Sequence, residues 1–184
     1  MNNPSEAGIP EPDEGAAAGP NGAVTRIKTP PWATIVATFF GVGRLRPGPG
    51  TWASLTTVFL WAVLDRALPA SIRTPIAIAL VFLVTTVGIA AATRVSRGAG
   101  VKDPQFVVID EVAGQLVALI AVPLGWKPFL AALILFRAFD IVKPPPVRQL
   151  EAVPEGAGIV LDDIAAGLYA LVCVHLFLHF GLLT

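Results

Sequence analysis

Six carboxylates fall in three short blocks of a 184-residue chain, and each block abuts an apolar segment. Asp103, Asp110 and Glu111 lie in KDPQFVVIDEVAGQ, Asp140 in FRAFDIVKPPP, and Asp162 and Asp163 in GIVLDDIAAG. Ionisable groups at the edge of helices apolar enough to enter a bilayer are costly to keep there, which makes them a functional site by default. On a helix Asp110 and Gly114 are one turn apart, as are Glu111 and Gln115. Carboxylates at a helix N-terminus are favoured by the dipole whatever their role. Two adjacent acids facing an apolar run, with a glycine leaving room beside them, also suit a hard cation. Magnesium takes oxygen ligands in octahedral array, one or two of them carboxylates, with water and phosphate oxygens completing the shell. Glu151, Pro154, Glu155, Gly156 and Gly158 read as a polar loop, and of Asp162 and Asp163 one is expected to cap the helix that follows. The second puts two like charges side by side, an arrangement that invites a cation.

The basic and hydroxyl residues point to an anion. In GRLRPGPGTWAS the glycines Gly48 and Gly50 let the backbone approach a ligand, Thr51 and Ser54 add hydroxyls, and Arg44 and Arg46 add charge. The same stretch also reads as a flexible turn capped by Thr51. Arg137, Asp140 and Lys143 are spaced by three. They form either a structural ion pair or a phosphate clamp in which Arg137 forks onto the anion and Lys143 adds a point charge. His175 and His179 are one turn apart but far along the last apolar segment from the acids, and are read as packing residues.

These groups need apolar helices to position them. Apolar residues make up 54% of the chain and charged residues 14%, against about a quarter charged in soluble domains. Mean hydropathy is +0.71, and the composition predicts an integral membrane protein. A net charge of zero leaves no electrostatic footprint for nucleic acid. The single Cys173 excludes an intramolecular disulfide and a four-thiolate zinc site. Residues 1–30, rich in Pro, Gly and Ala, are expected to be a disordered tail. Residues 31–184 are expected to form a single all-α, multi-pass membrane bundle with about 4–5 embedded helices. A short interfacial helix begins at Pro31 with Trp32 as its anchor. Crossings are expected to start near Thr51, Pro75, Glu111, Pro128 and Ile164, the first of them interrupted at Asp65 and Arg66. That arrangement places ten of the thirteen basic residues on one side, which is then cytoplasmic. Every acid except Asp65 shares that side.

Taken in order and spacing, GRLRPGPGTWASL, KDPQFVVIDEVAGQ, FRAFDIVKPPPVRQLE and EGAGIVLDDIAAG resemble the phosphatidylglycerophosphatase A family, over roughly Phe40 to Gly167. The chain departs from the family pattern at Gly48 (usually Ala), Ala53 (usually Gly) and Val160 (usually Met). The resemblance implies a magnesium-dependent lipid phosphatase of the bacterial inner membrane, multi-pass with its site facing the cytoplasm. Its substrate would be phosphatidylglycerophosphate held in the bilayer. It also implies that Asp103, Asp110, Glu111, Gln115, Arg137, Asp140, Lys143, Asp162 and Asp163 occupy motif positions. On that basis magnesium is assigned to a subset of Asp110, Glu111, Asp162 and Asp163. Arg46, Gly48, Gly50, Thr51, Ser54, Arg137 and Lys143 are assigned to the substrate phosphate, and Asp103 or Asp140 to orienting water. Asp110, Glu111 and Asp163 are counted with them as catalytic. The rival reading is a small membrane transporter using the carboxylates as a cation site.

Overall fold

The computed structural model describes residues 28–183, which form seven α-helices and a 3-10 turn at Val42–Arg44, with no strand among them. The helices are α1 Pro31–Ala37, α2 Pro49–Ala67, α3 Ala70–Ala99, α4 Ile109–Ala118, α5 Trp126–Val142, α6 Val147–Leu150 and α7 Glu155–His179. The expected tail lies almost wholly outside the described residues.

The all-α expectation holds, but the helices differ sharply in length. At 1.5 Å per residue the 30-residue α3 and 25-residue α7 reach about 45 and 38 Å, more than the ~30 Å hydrocarbon core. Among the described residues these two are long and apolar enough to cross a membrane. The crossing expected at Glu111 is instead the ten-residue α4, about 15 Å long, too short to span. Nine of its ten residues are buried, so α4 is the core of the bundle and not one of its lipid-facing staves. Helices α2, α3, α5 and α7 pack around it. Large apolar side chains on these outer helices, among them Phe59, Phe82, Ile134 and Val172, point outward and are exposed.

Small residues set how closely the layers approach. A Cβ added at Gly114 would sit 2.5 Å from both the Asp163 carbonyl oxygen and the Phe136 ring. One added at Gly167 would strike the Gly114 carbonyl oxygen and lie 3.0 Å from Val117 Cβ. Helices α4 and α7 therefore meet backbone to backbone, as small-residue crossings do in membranes. At the start of α7 an added Cβ on Gly156 would meet Thr93 N at 2.5 Å, and the Gly156 N–H donates to Thr93 Oγ1 at 3.2 Å.

Three local expectations are corrected. Helix α2 runs through Asp65 and Arg66 to Ala67. Asp65 turns inward to 2% exposure, where Arg73 Nε lies 3.5 Å from its Oδ1. The α2 cap is Gly48, in left-handed conformation, and Thr51 and Ser54 lie inside the helix. Helix α7 begins at Glu155, so Asp162 and Asp163 are interior residues and neither is a cap. Gly156 and Gly158, read as loop glycines, are contact points of a helix that starts two turns early.

Because the α4–α7 contact leaves no space at Gly167, Gly167→Val is expected to destabilise the folded protein by about 1–3 kcal/mol through overpacking. Thermal unfolding in detergent checks this, and an unchanged midpoint contradicts the packing described.

Candidate active site

Four helices deliver the polar groups to one end of the bundle. Asp110 and Glu111 sit in the first turn of α4, where the helix dipole favours negative charge. Asp163 comes from α7, one turn before Gly167, and Asp110 is one turn before Gly114. The tight glycine crossing thus brings the two carboxylates together one turn above it. Arg137 and Asp140 come from the last turns of α5, and Gly50 from the first turn of α2.

Asp110, Glu111 and Asp163 each offer an oxygen, all within 4.8 Å of one another. Asp110 and Asp163 are 8% and 3% exposed. Asp110 Oδ1, Glu111 Oε2 and Asp163 Oδ2 are buried with no hydrogen-bond partner. Two like charges ~4 Å apart near a protein surface repel by about 4 kcal/mol. Three carboxylates at that range, each with an orphaned oxygen, therefore fit a divalent cation, with oxygen donors suited to a hard one.

Arg137 Nη1 lies 2.8 Å from Asp140 Oδ2 and 3.7 Å from Glu111 Oε1. Its Nε is buried and unpartnered, which leaves guanidinium hydrogens free for an anion. A Cβ on Gly50 would collide with Glu111 Oε1 and reach within 3.0 Å of Arg137 Nη1. The glycine thus lets the start of α2 lie directly on the cluster. Deeper along the same helices, the buried Ser54 Oγ and both amide atoms of Gln115 have no partner.

Asp162 is turned elsewhere. Neighbouring residues on a helix point about 100° apart. While Asp163 enters the cluster, Asp162 Oδ2 accepts a 2.8 Å hydrogen bond from Lys143 Nζ. Its Oδ1 accepts the Asp163 N–H at 2.9 Å. Lys143 also lies 3.4 Å from Glu151 Oε2. Burial works against the Lys143 charge, but the hydrogen bond from Asp162 and the charges of Asp162 and Glu151 outweigh it and hold its pKa above the ordinary lysine range. Of the four expected metal ligands, the structure brings three together and ties the fourth to a lysine.

The other expected phosphate residues divide into two groups. Gly50 touches the cluster, whereas Arg46 and Gly48 line a separate cleft beside it, and Thr51 is exposed. Asp103 is exposed on the α3–α4 loop and makes no ion pair among the described residues. That loop is tied down where Ser96 Oγ donates to Val101 O at 2.7 Å and where the Val108 N–H donates to Ala37 O at 2.8 Å. Gln105 and Phe106 in the cleft wall were not singled out from sequence, since only the folding of two loops against each other gives them a role. His175 meets the Ile120 carbonyl oxygen at 3.0 Å, as expected of a packing residue.

Known proteins match most of the chain in sequence. The family model for phosphatidylglycerophosphatase A matches residues 35–178. A Haemophilus influenzae protein named phosphatidylglycerophosphatase A is 39% identical over 142 residues, 76% of this chain and 85% of that protein. A Bacteroides thetaiotaomicron protein, provisionally named a phosphatidylinositol-3-phosphatase, is 38% identical over 143 residues, 76% of this chain and 89% of its own length. The Escherichia coli protein named phosphatidylglycerophosphatase A is 32% identical over 148 residues, covering 79% and 83%. No solved structure matches the chain significantly.

The different surroundings of the two adjacent aspartates give a direct test by calorimetric titration with a divalent cation. Asp163→Asn is expected to weaken binding by at least ~100-fold, and Asp162→Asn by ~10-fold or less, within the range for groups outside the ligand set. Equal losses contradict the division of roles.

Proposed function

Because the chain belongs to the phosphatidylglycerophosphatase A family, we propose that it hydrolyses phosphatidylglycerophosphate to phosphatidylglycerol and phosphate at the cytoplasmic face of a bacterial inner membrane. The observation that carries this reading is the cluster of Asp110, Glu111 and Asp163, with orphaned oxygens beside an incompletely paired arginine. The transporter alternative falls with family membership. The basic residues Arg97, Lys102, Arg137 and Lys143, each bonded at the acidic end of the bundle, support the orientation. Helices α3 and α7 are the crossings; α2 and α5, about 28 and 25 Å long, complete a multi-pass bundle by tilting or thinning the bilayer.

Asp110, Glu111 and Asp163 would hold a magnesium ion. When bound, it neutralises phosphoryl charge and lowers the pKa of a coordinated water. The chain's own residues do the rest. Arg137, braced by Asp140, forks onto the phosphoryl oxygens and stabilises the charge that gathers on them as the ester bond breaks. The backbone at Gly50 confines the phosphate between α2 and α4. Water adds to phosphorus while the P–O bond to glycerol breaks. One proton must therefore leave the water, and one must reach the departing alkoxide. Asp140 is committed to Arg137, which leaves the unpaired Asp103 to accept the water proton; a solvent water protonates the departing alkoxide to the alcohol. Lys143, engaged by Asp162 and Glu151, ties α5 to α7 and adds positive charge at the entrance.

Phosphate release from phosphatidylglycerophosphate in detergent, with magnesium and then with excess chelator, tests the reading; release that ignores the chelator contradicts the metal assignment. Phosphatidylinositol-3-phosphate assayed alongside decides which headgroup is preferred. Arg137→Lys keeps the charge but loses the fork, and is expected to lower kcat by ~10²–10³. Asp103→Asn is expected to lower kcat by at least ~10² while divalent affinity, measured by titration, stays within ~3-fold. Loss of affinity instead would make Asp103 a ligand.

A further inference from the structure

Beside the carboxylate cluster lies an open cleft of about 770 Å³. The 3-10 turn and the loop before α2 form one wall, with Arg44 and Arg46, and the α3–α4 loop forms the other, with Gln105 and Phe106. Among the described residues no carboxylate lines it. Neither guanidinium is paired with an acid among the described residues. Two unpaired arginines and a carboxamide around one cavity make a site for an anion that also carries hydroxyls or ester oxygens. Leu45 and Phe106, 47% and 38% exposed, add apolar surface to the same cleft. The occupant these walls fit is therefore both anionic and partly apolar.

The cleft and the cluster share structure. Gly48 and Pro49 line the cleft, and the next residue, Gly50, abuts Glu111 and Arg137. On the opposite wall Gln105 is two residues from Asp103. A group in the cleft is therefore adjacent to one held at the cluster, since the Cα atoms of Gly48 and Gly50 can be at most about 7 Å apart. A three-carbon glycerol bridge separates two phosphates by a similar span. The monoester phosphate belongs at the cluster; what lies one glycerol away in a phosphatidyl headgroup is a phosphodiester, permanently charged and joined to the diacyl moiety.

Resting on the phosphatase reading above, we propose that the cleft of Arg44, Arg46 and Gln105 seats the phosphodiester of the lipid. It is a specificity subsite that recognises the part of the substrate left unchanged by the reaction. Arg46 and Gly48 then belong to the diester and not to the reacting phosphate. Arg44 and Arg46 grip the diester oxygens, Gln105 donates to them or to glycerol, and Leu45 and Phe106 meet the start of the acyl region.

The test separates the two phosphates with two inhibitors of phosphate release, in nonionic mixed micelles at fixed lipid fraction. Phosphatidylglycerol keeps the diester and lacks the monoester; inorganic phosphate probes the reacting position alone. In the Arg44→Ala/Arg46→Ala double variant the inhibition constant for phosphatidylglycerol is expected to rise at least tenfold more than that for inorganic phosphate. Gln105→Ala, which leaves net charge unchanged, is expected to shift it the same way by a smaller factor. An equal rise for both inhibitors, no rise for either, or a wild-type protein with which phosphatidylglycerol does not compete overturns the subsite. Wild-type protein that releases no phosphate from the lipid overturns the phosphatase reading itself, and the subsite with it.

Discussion

The close crossing of α4 and α7 at Gly114 and Gly167 is the constraint on which the site depends. In a membrane there is little hydrophobic force between apolar helices, so association rests on how tightly surfaces fit. Here two missing side chains let two backbones touch. One turn beyond the contact, the same closeness forces Asp110 and Asp163 into a common space from which most water is excluded. A larger residue at either glycine would move the carboxylates apart before it touched them. The packing that favours assembly and the juxtaposition that opposes it are one feature, and a cation between the three carboxylates would balance it.

The short central helix follows from the same requirement. A helix carrying two carboxylates in its first turn cannot face lipid, and α4 is enclosed by four neighbours along nearly its whole surface. The neighbours then present their apolar sides outward and their small or polar residues inward. Helix α3 shows this most plainly, burying Gly88, Ala91 and Ala92 while exposing Phe82 and Leu83. Arg137 is placed by this layering too. Helix α5 carries it in to meet Glu111 at the cluster, while Ile141 and Val142 remain exposed at the helix end.

Much of this was legible in the sequence. The helical class, the acidic blocks and their association with GRLRPGPGT follow from composition and from motifs whose order is specific. The differences share a cause: glycine and aspartate read as punctuation in the sequence and act as contact residues in the fold. Gly156 and Gly158 looked like loop residues, which moved the start of α7 to the Asp162–Asp163 pair and made one of them a cap. In the structure both glycines are helical contact points, and the 100° between adjacent residues sends one aspartate to the cluster and the other to Lys143. Asp65 likewise reads as an interruption of its helix, because the inward salt bridge to Arg73 depends on a residue in the next helix. The cleft was invisible for a related reason. Its walls are some sixty residues apart in the chain, and neither carries a motif that announces the other.

The glycines also bear on how the protein can be engineered for heat resistance. Replacing glycine with alanine is a common route to greater rigidity, because it removes freedom from the unfolded chain. Gly41, Gly100 and Gly181 have open space around them, but their φ angles of 98°, 67° and 71° strain any side chain. Gly43, Gly50, Gly114, Gly156, Gly158 and Gly167 have backbone or functional groups where a methyl would go. That route is closed at these nine positions, and more durable forms must be sought on the outward faces of α2, α3 and α5, where large side chains are exposed.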